Sequence, residues 1–93
     1  MKVKVIKKTA NELKIEIEGA GHGLCGLLQK TLLEGEEVER AGYDIVHPLV
    51  PTPVVYVRTE KGSKPEIVLM KAARRARKTS NDFKKELDKA LKS

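Results

Sequence analysis

Tryptophan is absent from this chain, and it carries only one phenylalanine and two tyrosines. Aromatics at 3% leave too few flat rings for a surface on which successive bases stack. The single Cys25 has no partner for an internal disulfide, which favours a reducing, cytoplasmic setting. No apolar run approaches the ~18 residues a spanning helix needs. The opening Met1-Lys2-Val3-Lys4-Val5 alternates like a strand and lacks the apolar centre of a signal peptide. Paired carboxylates, a phosphate-binding lysine loop and a Ser-His-Asp set are also missing, so neither a catalytic centre nor a cofactor is expected.

What is present reads as one domain over residues 1–93. A chain this short buries roughly 60–65% of its unfolded surface, so its own core gives modest stability. The net charge is +6. Residues 1–63 are balanced, and the whole excess sits on the last third of the chain.

Lys2 to Lys8 alternates lysine with Val3 and Val5 and predicts a first strand. Thr9-Ala10-Asn11 predicts a turn. Leu13, Ile15 and Ile17 then alternate with Glu12, Lys14, Glu16 and Glu18, as in a strand with one wet face. The two pair as an antiparallel hairpin, with lysines facing glutamates.

Gly21, Gly23 and Gly26 spell a dinucleotide fingerprint, with Asp44 downstream. The preceding strand belongs to a hairpin rather than a βαβ unit, and the chain has no room for a second nucleotide half. The glycines are read instead as the entry to a helix over residues 22–33. At about 100° per residue, Leu27, Leu24, Leu28, Leu32 and Cys25 cover an apolar arc of about 160°, with Leu33 outside it. A helix that only covers a sheet needs about 100°. The excess predicts two buried sides, one on the sheet and one on another chain. Gly35 predicts the helix stop.

Val38 to Ile45 predicts a third strand, with Gly42 as a bulge. Val54 to Thr59 predicts a well-buried fourth. Between them Pro48, Pro51 and Pro53 remove three backbone donors and stiffen an extended arm. After a turn at Glu60-Lys61-Gly62, Ser63 and Glu66 match a capping box with Pro65 in the first turn. A long helix reaching Leu91 is predicted. Its seam of Leu69, Ala73, Ala76, Ser80, Phe83, Leu87 and Ala90 is spaced 4-3-4-3-4-3. Ile67 and Met70 are expected to cover the chain's own sheet, while Thr79-Ser80-Asn81-Asp82 is a run of poor helix formers where a kink or a new cap is expected. At ~1.5 Å per residue the helix is ~40 Å long, so the part from Phe83 onward is expected to dock elsewhere.

The stretch A-G-Y followed by H-P-L-x-P-x-P-V-x-Y-V-R-T, from Ala41 to Thr59, resembles the archaeal RNA polymerase subunit L family. That family includes the eleventh subunit of eukaryotic RNA polymerase II and is related to the N-terminal domain of the bacterial α subunit. A second point of resemblance lies at the first helix, where the family carries G-E-D-H-T-L-G-N-L-L. Gly19, His22, Leu24, Leu27 and Leu28 match, whereas Ala20, Gly21, Gly23, Cys25 and Gly26 depart. The usual Asp and Thr capping groups are therefore missing.

Patterning and resemblance imply one fold: α+β, two layers in the order β-β-α-β-β-α. A four-stranded, mainly antiparallel sheet is covered by helices, and the C-terminal helix is long. The resemblance further implies a non-catalytic subunit of RNA polymerase that pairs with the larger α-like subunit (D) of the same enzyme. The heterodimer is then a platform for the two large catalytic subunits, together with subunits N and P. Leu24, Leu27, Leu28 and Leu32, closed by Phe83 and Leu87, are the expected interface.

His22, Cys25 and His47 are too few and too scattered for a closed metal site. His22 with Cys25 lacks the third group of a nucleophilic set, and a buried cysteine is the better reading. His47 reads as a packing group, and the family's His-Pro-Leu implies an architectural role. Lys71, Arg74, Arg75 and Lys78 share one helical face, flanked by Arg77. Such a face can contact phosphates, but clustered charge alone is a weak signal, and a solvated face or one that pairs with acidic groups of a partner subunit is the preferred reading. Two rivals follow: a free-standing homodimeric nucleic-acid binder using that stripe, and a small nucleotide-binding enzyme using the glycines.

Overall fold

The computed structural model describes residues 2–19, 22–45, 52–76 and 81–92. Its elements are β1 (Lys2–Lys8), β2 (Glu12–Glu18), α1 (His22–Leu33), β3 (Val38–Ile45), β4 (Pro53–Thr59), α2 (Pro65–Arg75) and α3 (Asn81–Lys92). The strands form one sheet in the order β1-β2-β4-β3, and every pair is antiparallel.

Period-two alternation decides which face is buried. Leu13, Ile15 and Ile17 of β2 are fully buried, as are Val55, Val57 and Thr59 of β4. Val54, Tyr56 and Arg58 point the other way and are half-buried, so β4 has one wet face rather than two dry ones. The β-branched run hid this, because valine fits either side of a pleat. Lys2 and Lys4 stand opposite Glu18 and Glu16, as the alternation predicts. A register shift between Val5 and Lys7 then sets Lys7 opposite Lys14. The bulge expected at Gly42 is not there: Gly42 pairs regularly with Tyr56, and the irregularity falls between Val38 and Arg40.

The β1–β2 turn is closed twice. The Thr9 amide donates to the Glu12 carbonyl at 2.8 Å, and the Glu12 amide donates to Thr9 Oγ1 at 3.0 Å. Gly62 supplies the left-handed residue after β4, at φ +95°. The buried Thr59 hydroxyl donates to the Ser63 carbonyl at 2.6 Å, tying that turn to the end of β4. Ser63 therefore lies one position too early to cap α2. Lys64 is the N-cap without a side-chain bond, and Pro65 occupies the first turn. Gly35 follows the end of α1 in ordinary backbone geometry. Its role is space, since a Cβ there would come within 3.3 Å of the Leu32 carbonyl oxygen.

The long C-terminal helix is two helices. α2 ends at Arg75 and α3 starts at Asn81, and α3 packs on both α2 and β1. Leu69, Ala73, Ala76, Phe83 and Leu87 of the seam are all buried in the chain. Phe83 and Leu87 thus do not reach away from the sheet; they close the core over its β1 edge. Of the poor helix formers at residues 79–82, Asn81 and Asp82 open α3, and Thr79 and Ser80 lie outside the described residues. Val68, Leu69 and Ala72 turn inward from α2 and Met70 packs partly against the core, whereas Ile67 is 48% exposed.

Candidate partner-binding surface

The wide arc of α1 is divided by the fold. Cys25, Leu28 and Leu32 are buried against the sheet, and Leu24 and Leu27 are half-buried. Leu24 still touches the core cluster; Leu27 lies outside it. Leu33 is 54% exposed, just beyond the arc. One flank of α1 is therefore used by the chain's own sheet, and the other is an incompletely covered leucine edge. Of the six expected interface residues, the fold brings Leu28, Leu32, Phe83 and Leu87 together inside its own core. Only Leu24 and Leu27 keep surface to offer.

The outside of α2 holds a second apolar surface. Ile67, Met70 and Leu91 line a groove of about 310 Å³ between α2 and α3, with Glu66, Arg74 and Asp88 at its rim. The first turn of α2 and the last turn of α3 lie side by side in that groove. Sequence reading missed this surface, because it assigned Ile67 and Met70 to the sheet. The signal was present in their spacing from Leu69, since neither falls on the 4-3-4-3 seam.

The basic stripe is partly answered within the chain. Lys71, Arg74 and Arg75 are exposed, and Lys78 lies outside the described residues. Arg75 Nη2 is 3.8 Å from Glu34 Oε2. Lys71 and Arg75 share a cleft of about 320 Å³ with Glu34, Glu36 and Glu37, which follow the end of α1. Acidic side chains so close weaken the pull of this face on phosphates.

The remaining candidates do not assemble. Gly23 and Gly26 lie inside α1, where a Cβ on either would meet nothing within 4 Å. No close approach of backbone to a ligand is built there. Gly21 and His47, with the proline arm from Pro48 to Pro51, lie outside the described residues, and of His22 only the backbone is described. Cys25 is buried, and burial pushes its thiol pKa up, which opposes a reactive thiolate. Among the described residues no group of three metal-ligating side chains occurs, and no helix is long and apolar enough to cross a membrane.

The open sheet face holds a charge cluster that the sequence did not announce. Glu12 is its hub, with Lys7 Nζ at 3.0 Å, Arg58 Nη1 at 3.6 Å and the Tyr56 hydroxyl donating at 3.4 Å. The hydrogen bond from Lys7, aided by the charges of Lys7 and Arg58, holds the Glu12 carboxyl below its usual pKa against the opposing effect of burial. Arg58 also pairs with Glu39 at 3.2 Å, and Lys14 sits 5.6 Å from the centre of the Tyr56 ring. The register shift in β1 brings Lys7 to this face, and bulges are not legible in alternation alone.

Residues 12–86 match the family model described as the RNA polymerase Rpb3/Rpb11 dimerisation domain. The chain is 37% identical over 93 residues to the DNA-directed RNA polymerase subunit Rpo11 of Methanocella arvoryzae, covering all of both chains. It is 39% identical over 92 residues to the same subunit of Methanothrix thermoacetophila, covering 99% of this chain and 100% of that one. The fold matches the crystal structure of DNA-directed RNA polymerase subunit L from Thermoplasma acidophilum with a TM-score of 0.71 at 29% identity. That match covers 97% of this chain and 88% of the other.

Proposed function

Because this chain belongs to the RNA polymerase Rpb3/Rpb11 dimerisation-domain family, we propose that it pairs with the larger α-like subunit (D) of its RNA polymerase. It is a non-catalytic subunit of a DNA-directed RNA polymerase, and its work is assembly within that complex. The pair is the platform on which subunits N and P and the two large catalytic subunits gather in the cytoplasm.

The observation that carries this reading is the unfinished burial of the helical layer in a chain matched along most of its length by a dimerisation domain. Leu24 and Leu27 are only half covered, and Leu33 and Ile67 are exposed. Such an edge gains by meeting a second apolar helix. Leu24 and Leu27 make first contact, with Leu28 and Leu32 stiffening them from beneath. Phe83 and Leu87 take part only if α3 gives up its present seat. The free-standing nucleic-acid binder is not favoured, since Arg75 and Lys71 face the chain's own glutamates.

Co-expression with a tagged archaeal copy of the larger α-like subunit, followed by capture at low and high salt, tests the pairing. A one-to-one complex that survives high salt supports it, because apolar contacts are not screened. A chain that ignores this partner at both salts refutes it.

A further inference from the structure

α1, α2 and α3 all pack on the sheet face that carries Leu13, Ile15, Ile17, Val55 and Val57, and among the described residues no helix covers the other face. That open face holds a depression of about 550 Å³, bordered by Lys14, Arg40, Val54 and Tyr56, with Gly42 between them. Gly42 pairs with Tyr56 in regular register, and its neighbours Ala41 and Tyr43 pack toward the core. Gly42 therefore faces outward, and its missing side chain leaves a gap beside Tyr56.

Nothing inside the chain calls for that glycine. Its φ is not positive, the irregularity of β3 lies elsewhere, and a Cβ there would meet nothing within 4 Å. Glycine weakens the interior of a strand, and its place there marks a bulge, a bend or the close approach of a ligand or another backbone. With no bulge at Gly42 and no close neighbour within the chain, the approach is from outside.

The charges around the gap are unevenly answered. Arg40 stands opposite Arg58, and Lys7 stands opposite Lys14. Like charges directly opposite each other destabilise a sheet. Glu12 answers Lys7 and Arg58, and Glu39 answers Arg58 again. Among the described residues no ion pair reaches Arg40 or Lys14, and Lys14 lies over the Tyr56 ring. Two cations beside an open gap suit two carboxylates from another molecule.

We propose that this face docks an extended acidic segment of a further polymerase subunit, separately from the leucine edge of α1. The segment's backbone lies over Gly42 against Tyr56, and two of its carboxylates meet Lys14 and Arg40. Those positions are two strands and two residues apart, about 12 Å on the backbone, the reach of about four extended residues. A nucleic acid suits the face less well. Glu12 and Asp44 line the same depression and repel a run of phosphates. The inference rests on the assembly role proposed above, and it names a contact that pairing with the larger α-like subunit does not use.

The test starts from the pair formed with the larger α-like subunit, mixed with the remaining polymerase subunits. Incorporation is read by size-exclusion chromatography. Gly42→Val is expected to keep or raise the thermal midpoint of the free chain, since valine suits a strand. It leaves pairing unchanged and lowers incorporation of the pair about tenfold or more. Lys14→Glu with Arg40→Glu does the same to pairing and incorporation. Carbodiimide joins a lysine amine to a carboxylate in contact with it. In the complete polymerase it is expected to link Lys14 to an aspartate or glutamate of another subunit. Undiminished incorporation of both variants overturns the proposal, as do a lowered midpoint for Gly42→Val and Lys14 links confined to this chain. Loss of pairing in either variant also overturns it, by placing this face inside the pair. Binding of a poly(dT) oligonucleotide that the double charge reversal abolishes overturns it in favour of nucleic acid. An unmodified chain that fails to pair overturns the assembly role and this contact together.

Discussion

Lys7 Nζ lies 3.0 Å from Glu12 Oε2 across the first hairpin. The contact exists because the irregular register of β1 turns Lys7 onto the open sheet face. Glu12 has its pKa lowered in the folded chain, first by this lysine. A carboxyl with a depressed folded pKa stabilises the fold above its unfolded value. That contribution is lost as pH falls from about 4.3 through the folded value. Glu12→Gln is therefore expected to lower the urea midpoint at pH 7 and to match the parent at pH 2–3. Equal midpoints at pH 7 would show that the cluster gives nothing to stability.

Leu28 is fully buried and Leu33 is 54% exposed, five residues further along. Leu28→Ala removes core packing and is expected to cost about 2–5 kcal/mol. Leu33→Ala is expected to stay within about 0.5 kcal/mol of the parent. Urea denaturation of the two variants side by side checks the division of the α1 arc, and similar losses at both positions would contradict it.

Phe83→Ala is expected to cost about 3–5 kcal/mol in the free chain, because its ring is fully enclosed in the core. Amide exchange is the sharper readout. α3 amides are expected to lose protection first, while the central β2 and β4 amides keep theirs. Uniform loss across the fold would mean that α3 is not a separable layer.

Leu27→Glu probes the surface proposed to meet a partner. Leu27 stands outside the core cluster, so the free chain is expected to lose no more than ~1 kcal/mol. Pairing with the larger α-like subunit is expected to weaken by ~30-fold or more, the scale of a central interface residue replaced by an unpaired charge. Reversing the stripe with Lys71→Glu and Arg74→Glu is expected to leave pairing at 0.5 M salt almost unchanged.

Much of the fold is legible in the sequence, because each strand of the first hairpin writes its two faces in alternate residues. The order of the first five elements follows from that alternation, from the leucine arc of α1 and from the turn at Gly62. Three features were hidden. The bulges at β1 and β3 are set by pairing between strands, and local pattern carries no trace of them. The wet face of β4 was masked because valine and tyrosine suit both sides of a sheet. The fold of α3 onto β1 was masked by a seam that reads as one helix, while residues 79–82 carried the only hint of a break. Of the surface, the width of the α1 arc led to the expectation of a second buried side on another chain; Leu24 and Leu27 are half-buried in the free chain, and the pairing experiment tests whether they serve it. Leu28, Leu32, Phe83 and Leu87 belong to the core of the free chain, and a one-dimensional arc cannot say which part of itself a sheet will take.

The most direct test is the affinity of the purified chain for the larger α-like subunit in 1 M salt. The account predicts a one-to-one complex whose affinity changes little between 0.1 M and 1 M, because leucine edges hold it. Absence of a complex at 0.1 M, or a complex lost steeply with salt, would contradict it.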